Sequence, residues 1–152
     1  MKKIFTSILV LILIFSVGCS AEKNSEEKIF TEKVEDVEMR IKISIGEQIF
    51  YANLENNPST QELIKKLPLE VEMNELNGNE KYFKFAENFP SDDKKISEIH
   101  EGDLMLYGSS YLVIFYKNFS TSYSYTRLGK IENPANLSEI LGDGNIRVKI
   151  EK

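Results

Sequence analysis

The stretch from Tyr107 to Gly129 is rich in residue types that bind ligands and poor in those that perform acid–base catalysis. It reads YGSSYLVIFYKNFSTSYSYTRLG and contains no carboxylate, histidine or cysteine. Near its end, Tyr123, Tyr125 and Arg127 share one face of a predicted strand, because side chains alternate along a strand with period two. Tyrosine and arginine concentrate in binding hot spots. This face is therefore a candidate wall of a binding pocket.

A structural interpretation of the same face stays open. Arg127 could pair with a carboxylate such as Asp103 or Glu80 and stack on the tyrosines, and it would then stabilise the fold rather than a ligand. The run from Tyr111 to Tyr116 is apolar at nearly every position. Such a run favours a strand buried on both faces, with the interior of a barrel on one side and a helix on the other. The candidate ligand-binding residues are Phe83, Tyr107, Phe115, Tyr123, Tyr125 and Arg127.

The sequence offers few residues suited to a catalytic triad or a metal site. His100 is the only histidine and lies in a polar segment, so a histidine-based triad or a histidine-rich metal site is unsupported. The acidic run that includes Asp92, Asp93 and Asp103 lacks the ligand spacing of a known calcium loop. The sequence therefore predicts no catalytic residue, no metal and no cofactor.

The first 18 residues have the features of a secretory signal: two lysines, an unbroken apolar run and then small residues. The apolar run is shorter than the ~20 residues that a transmembrane helix needs. Cys19, the only cysteine, follows Val17 and Gly18 in a pattern that resembles the bacterial lipobox, although Ser16 stands where that motif usually has leucine. In the lipobox the cysteine receives a lipid and becomes the mature N-terminus. A simple cleaved signal with an incidental cysteine is the alternative.

Lipid attachment at Cys19 would anchor the protein to a bacterial cell membrane, facing the extracytoplasmic side. Residues 19–38 would then be the lipidated cysteine and a flexible tether, since this segment is polar and highly charged. Its few apolar side chains could instead dock on the domain. The net charge is −5, and it becomes −7 when residues 1–18 leave with two lysines. An acidic chain has no electrostatic reason to bind nucleic acid.

Residues 39–152 form the predicted folded domain, a normal length for a single core. Met39 to Ile45 alternates strictly and predicts a half-buried strand, and Gly46 turns the chain into the second strand of a hairpin. Asn57 is a plausible N-cap for a helix that begins at Pro58. Similar patterns give a mainly β domain with roughly eight strands and two short helices, the second opening at Asn133-Pro134. The segment NFPSDDKKISEIHEGD is predicted to be a polar loop.

The order of these elements resembles the bacterial cyclophilin-like domain. The similarity rests on NNPSTQELIKKLPLEVEM, EGDLMLYG, YLVIFY and SYTRLGKI, and it covers Met39 to Glu151. It implies a closed eight-stranded β-barrel with two helices capping its ends. The family is similar in fold to peptidyl-prolyl isomerases, whose Phe-His-Arg motif lies on a strand after the first helix.

That motif is absent here. The corresponding strand, residues 81–85, reads KYFKF, so Lys81 or Lys84 would have to replace an arginine whose planar fork a lysine cannot reproduce. We therefore expect a monomeric, non-catalytic module that binds a peptide or small-molecule ligand. A weak prolyl isomerase acting on envelope proteins and a structural or assembly role in the cell envelope are the alternatives.

Overall fold

The computed structural model describes residues 39–152, and the predicted signal segment and tether lie outside the described residues. The described part contains, in chain order, β1 (Arg40–Ile45), β2 (Gln48–Leu54), α1 (Pro58–Lys65), β3 (Leu69–Leu76), β4 (Glu80–Lys84), β5 (Lys94–Lys95), β6 (Glu98–Ile99), β7 (Asp103–Tyr107), β8 (Tyr111–Phe115), β9 (Phe119–Ser120), β10 (Ser124–Ile131), α2 (Leu137–Leu141) and β11 (Ile146–Glu151). Neither helix of this part has the length and apolar composition to cross a bilayer.

Eight of the strands form one closed antiparallel sheet. Their order is β2-β1-β11-β3-β4-β8-β7-β10, and β10 pairs back with β2 to close the ring. Closure leaves the barrel without exposed edges that could pair with another chain. The predicted mainly β fold, a closed eight-stranded barrel with two short helices, is confirmed.

Local sequence explains where the first elements begin and end. Ile41, Ile43 and Ile45 of β1 are buried on one face, as the alternation predicts. Gly46 has a φ of 59° in the turn to β2, a conformation that glycine adopts without strain. The α1 helix begins at Pro58, and the side chain of Asn57 accepts a hydrogen bond from the Thr60 N–H as its N-cap.

The second helix begins later than its sequence predicts. Asn133 and Asn136 have φ values of 47° and 68°, which a right-handed helix excludes. The chain therefore turns between them, and α2 contains only Leu137–Leu141. Leu137 and Leu141 are nevertheless buried in the barrel core, so the helix contributes the apolar face that its pattern indicates.

The predicted polar loop after Phe85 is partly wrong. It contains β5 and β6, and Phe89, Ile96 and Ile99 within it are buried. Its apolar residues are too widely spaced to match a strand template, so only the tertiary contacts reveal them.

The β8 strand is buried on both faces, as predicted. Leu112 and Ile114 point into the main core, which fills the barrel, whereas Val113 and Phe115 belong to a second, outer cluster. No helix of the described part joins that outer cluster. Instead Ile96, from the segment between β5 and β6, packs there together with side chains of β6 and β9.

The seam that closes the barrel lies at Gly129. This residue of β10 is paired with Leu54 of β2, next to a register shift in the β10–β7 ladder. A Cβ atom on residue 129 would lie 2.8 Å from the Cα of Leu54 and closer still to the carbonyl oxygen of Asn53. Both are backbone atoms of a sheet and cannot move aside as a flexible side chain could. The seam therefore needs a residue without a side chain.

We expect Gly129→Ala to lower the free energy of unfolding by about 3 kcal/mol or more, since overpacking against a backbone forces the two strands apart. Gly144→Ala is the matched control, because a Cβ there meets no atom within 4 Å. Denaturant unfolding of the full chain would measure both. Equal stability of the two variants would contradict the role of the seam.

Candidate functional site

A wide cleft among the described residues lies on the outer face of the barrel, over β4, β7, β8 and the start of β10. Its volume is about 570 Å³. Its lining residues come from three separate chain segments and include five of the seven tyrosines of the chain. They are Leu76, Asn77, Asn79, Glu80, Tyr82, Tyr107, Tyr111, Val113, Phe119, Ser120, Thr121, Ser122, Tyr123 and Tyr125. We call this the tyrosine cleft.

Strand register places these tyrosines next to one another. Tyr107 and Tyr111 are paired across the β7–β8 hairpin, and Tyr82 is paired with Val113 across β4 and β8. Paired residues point to the same face of an antiparallel sheet. All of these side chains therefore point outward, away from the barrel core.

The rings form one continuous aromatic wall. Tyr107 is central, with ring centroids 6.3 Å from Tyr111, 6.0 Å from Tyr123 and 5.5 Å from Tyr125. Tyr82 extends the wall beyond Tyr111, at 6.0 Å. The contacts are tilted or edge-to-face, which aromatic pairs prefer.

The wall is both anchored and accessible. Tyr125 is buried and packs edge-to-face on Phe115, with centroids 5.5 Å apart. Tyr107 and Tyr123 are 43% and 59% exposed, which is unusual for large aromatic side chains. The buried Tyr125 holds the wall in place, while the exposed rings of Tyr107 and Tyr123 remain available to a ligand. Tyrosine suits binding because it offers a large contact area at a small cost in conformational entropy.

Among residues 39–152, Glu80 is the only charged residue that lines the tyrosine cleft. Its carboxylate forms no ion pair and accepts no hydrogen bond within residues 39–152. Burial raises its pKa to about 7, and the negative charge of Glu75 adds to the shift. The cleft therefore holds a carboxylate whose charge the described protein does not compensate.

Glu75, by contrast, is held in its charged form. Burial raises the pKa of its carboxyl group, but hydrogen bonds from Lys81, Tyr116 and the Gly78 N–H outweigh this effect and lower the pKa below its usual value. The Tyr116 hydroxyl oxygen lies 2.8 and 2.9 Å from the two oxygens of Glu75. Glu75 thus remains an anion beside Glu80.

Lys81 is the cation that compensates Glu75. It is fully buried on the interior face of β4, where it is paired with Ile114 of the core. Its ammonium group donates to Glu75 and, at 2.7 Å each, to the carbonyl oxygens of Gly142 and Gly144. Three acceptors satisfy all three donors of a lysine. Lys81 therefore links the β3–β4 hairpin to the turn before β11 and does not reach the cleft.

The six candidate residues separate into three locations. Tyr107, Tyr123 and Tyr125 line the tyrosine cleft, and Phe115 lies buried beneath Tyr125. Phe83 is on the interior side of β4 and packs against Phe85 at 5.1 Å. Arg127 lines a second, smaller cleft of about 220 Å³ beside the start of α1, and Tyr125 lines this cleft as well.

The proposed structural pairing of Arg127 is not found. Asp103 lies 3.6 Å from the Lys130 ammonium, and Glu80 has no ion pair among the described residues. Arg127 is exposed, and its backbone carbonyl accepts a hydrogen bond from the Asn57 side chain at 2.8 Å. The arginine therefore does not share a pocket with the exposed tyrosines.

Sequence reasoning missed Glu80, Tyr82, Tyr111 and Phe119 as cleft residues. The period-two pattern places Tyr82 and Glu80 on the outward face of β4, which was a usable signal. No pattern indicates that this face meets the segment from Phe119 to Tyr125. Within residues 39–152, no cluster of three or more histidine, cysteine or acidic side chains could hold a metal ion.

Comparison with known proteins bears on the fold of the whole domain. A solution structure of a hypothetical protein from Archaeoglobus fulgidus is similar, with a TM-score of 0.53, 20% sequence identity, and coverage of 76% of this chain and 95% of that one. At this identity the likeness concerns the fold alone. Among curated proteins, none matches. The model of the Cyclophilin-like family matches residues 43–151, and the chain therefore belongs to that family.

Proposed function

We propose that this protein is a non-catalytic binding module that holds a peptide or small-molecule ligand in the tyrosine cleft, on a domain anchored to the extracytoplasmic side of the membrane through Cys19. The observation that carries the proposal is the aromatic wall with its two exposed rings, Tyr107 and Tyr123. Ligand sites are concave, largely apolar and lined by a few placed polar groups. Exposed aromatic patches of this kind mark interaction sites rather than ordinary surface.

The residues of the cleft favour binding over catalysis. A prolyl isomerase must stabilise a twisted amide, whose uncatalysed barrier is about 18–20 kcal/mol, with a well-placed donor. Lys81, one of the two lysines that could replace the missing arginine, is enclosed by three acceptors inside the barrel. Lys84 lies at the end of β4, with its ammonium 5.4 Å from the Tyr111 ring centroid. Weak isomerisation that depends on Lys84 is the second candidate function.

The binding proposal can be tested by tyrosine fluorescence, because the chain has no tryptophan and most of its tyrosines line the cleft. Mixed tripeptides and small organic fragments would serve as probes for the full chain in detergent micelles. We expect a saturable change in emission. Tyr107→Ala and Tyr123→Ala should each weaken binding by about three- to tenfold, as for hot-spot aromatics.

Tyr51→Ala is the matched control, since Tyr51 is 40% exposed but lies on β2, away from the cleft. Loss of binding in the control as well would contradict the location of the site. Strong acceleration of prolyl isomerisation that disappears in Lys84→Ala would replace the binding proposal with the isomerase. Absence of any saturable probe would favour the structural or assembly role.

The membrane anchor has its own test. The lone cysteine follows Val17-Gly18 behind an apolar run, so cells fed a tagged fatty acid should label the wild-type protein and not Cys19→Ser. Ser20→Ala, which keeps the thiol, should label like the wild type. Equal labelling of Cys19→Ser and the wild type would refute lipid attachment.

A further inference from the structure

We propose that the ligand presents a primary alkylammonium group, such as a lysine side chain or a small free amine, to the tyrosine cleft, with Glu80 as its counter-ion. The inference rests on the proposed function, since it names the chemical class of that ligand. Three features of the cleft carry it: its charge, its aromatic faces and one buried oxygen.

The charge of the cleft fits a cation. Glu80 is the only charged lining residue, and it has no partner within residues 39–152. An anionic ligand would face this carboxylate with no cation among the lining residues to compensate either charge. A neutral ligand would bury the carboxylate further and leave it unpaired, which is unfavourable. A cation instead forms a charge-assisted hydrogen bond with it.

The aromatic wall also fits a cation. The face of a tyrosine ring attracts a cation within about 6 Å of its centroid, and cages of such rings bind organic ammonium groups. Tyr82, Tyr107, Tyr111 and Tyr123 line the same cleft as Glu80. Lys84 already lies 5.4 Å from the Tyr111 centroid at the edge of the wall, so this wall accepts an ammonium group in the folded protein itself.

A buried acceptor distinguishes primary from quaternary ammonium groups. Asn79 lines the cleft next to Glu80, and its side-chain oxygen is buried without a hydrogen-bond partner among the described residues. Such an acceptor requires a donor. A primary ammonium has three N–H donors, enough for Glu80 and Asn79 together, whereas a quaternary ammonium has none.

Binding should depend on pH through Glu80. The charged or titratable groups that act on it are Glu75 on β3 and the hydroxyls of Tyr116 and Tyr125. The pKa values of both tyrosines are raised by burial, so these hydroxyls stay neutral near pH 7. Glu75 stays charged because its pKa is lowered. Among these four groups, Glu80, with a pKa of about 7, is the one that changes its charge near neutral pH, and affinity for a cation should rise as it ionises.

The test compares matched probes by tyrosine fluorescence of the full chain. A capped Gly-Lys-Gly peptide should bind at least about tenfold more tightly than the same peptide with acetylated lysine, and n-butylammonium more tightly than tetramethylammonium or n-butanol. Affinity for the lysine peptide should rise about tenfold from pH 6 to pH 8, since lysine stays charged over this range. Glu80→Gln should weaken binding about tenfold and abolish the pH dependence. Glu47→Gln, in the exposed β1–β2 turn, should change neither.

The outcomes separate this inference from the proposed function. If neutral probes bind as tightly as cationic ones and Tyr107→Ala weakens both, the cleft is a binding site but the ammonium inference is wrong. If n-butylammonium binds as tightly as the lysine peptide, the inference holds and the ligand is a small amine rather than a peptide. If no probe binds in either charge state, the inference fails.

Discussion

The barrel of this protein closes through one close backbone approach, between Gly129 on β10 and the end of β2. The same strand, β10, also carries Tyr125, which anchors the tyrosine cleft, and Arg127, which lines the second cleft. A sheet that failed to close would leave β10 and β2 as edges. The strand that closes the barrel therefore also contributes residues to the candidate site.

A second constraint is electrostatic and concerns the β3–β4 hairpin. Glu75 and Glu80 lie close together there, and the buried Lys81 forms an ion pair with Glu75 only. Lys81 and Tyr116 stabilise the charge of Glu75 inside the barrel end, so the repulsion acts on Glu80, which faces the cleft. A buried ion pair is weak support for stability in general. Here it has another consequence, because it leaves an uncompensated carboxyl group among tyrosine rings.

Much of the fold follows from local patterns. The alternation in β1, the N-cap at Asn57 and the apolar run in β8 each correspond to an element of the structure, because in each case local preference and tertiary packing agree. The late start of α2 does not follow, since positive φ values at Asn133 and Asn136 depend on the surrounding contacts. The buried residues between β5 and β6 are another failure, because they pack against a sheet that is distant in sequence.

The site was less predictable than the fold. Alternation predicts that Tyr123, Tyr125 and Arg127 share one face. Tyr123 and Tyr125 line the tyrosine cleft, whereas Arg127 lines the second cleft together with Tyr125. Lys81 lies on the same face of its strand as Phe83 and Phe85. A lysine on an otherwise apolar face indicates a buried charge. Alternation places Glu80 on the outward face of β4, but it does not indicate that the carboxylate lacks a partner there among the described residues. Its role comes from the cleft that three distant segments form around it.

The ionisation of Glu80 links the fold to the proposed ligand, and carboxyl-carbon NMR of the full chain can measure it directly. We predict a pKa of about 7 for Glu80 in the free protein. By reciprocal linkage, addition of a lysine peptide should lower that pKa, since a bound cation favours the charged carboxylate. A pKa near the ordinary glutamate value of about 4.3, unchanged by the peptide, would show that the cleft does not hold an uncompensated charge for a cationic ligand.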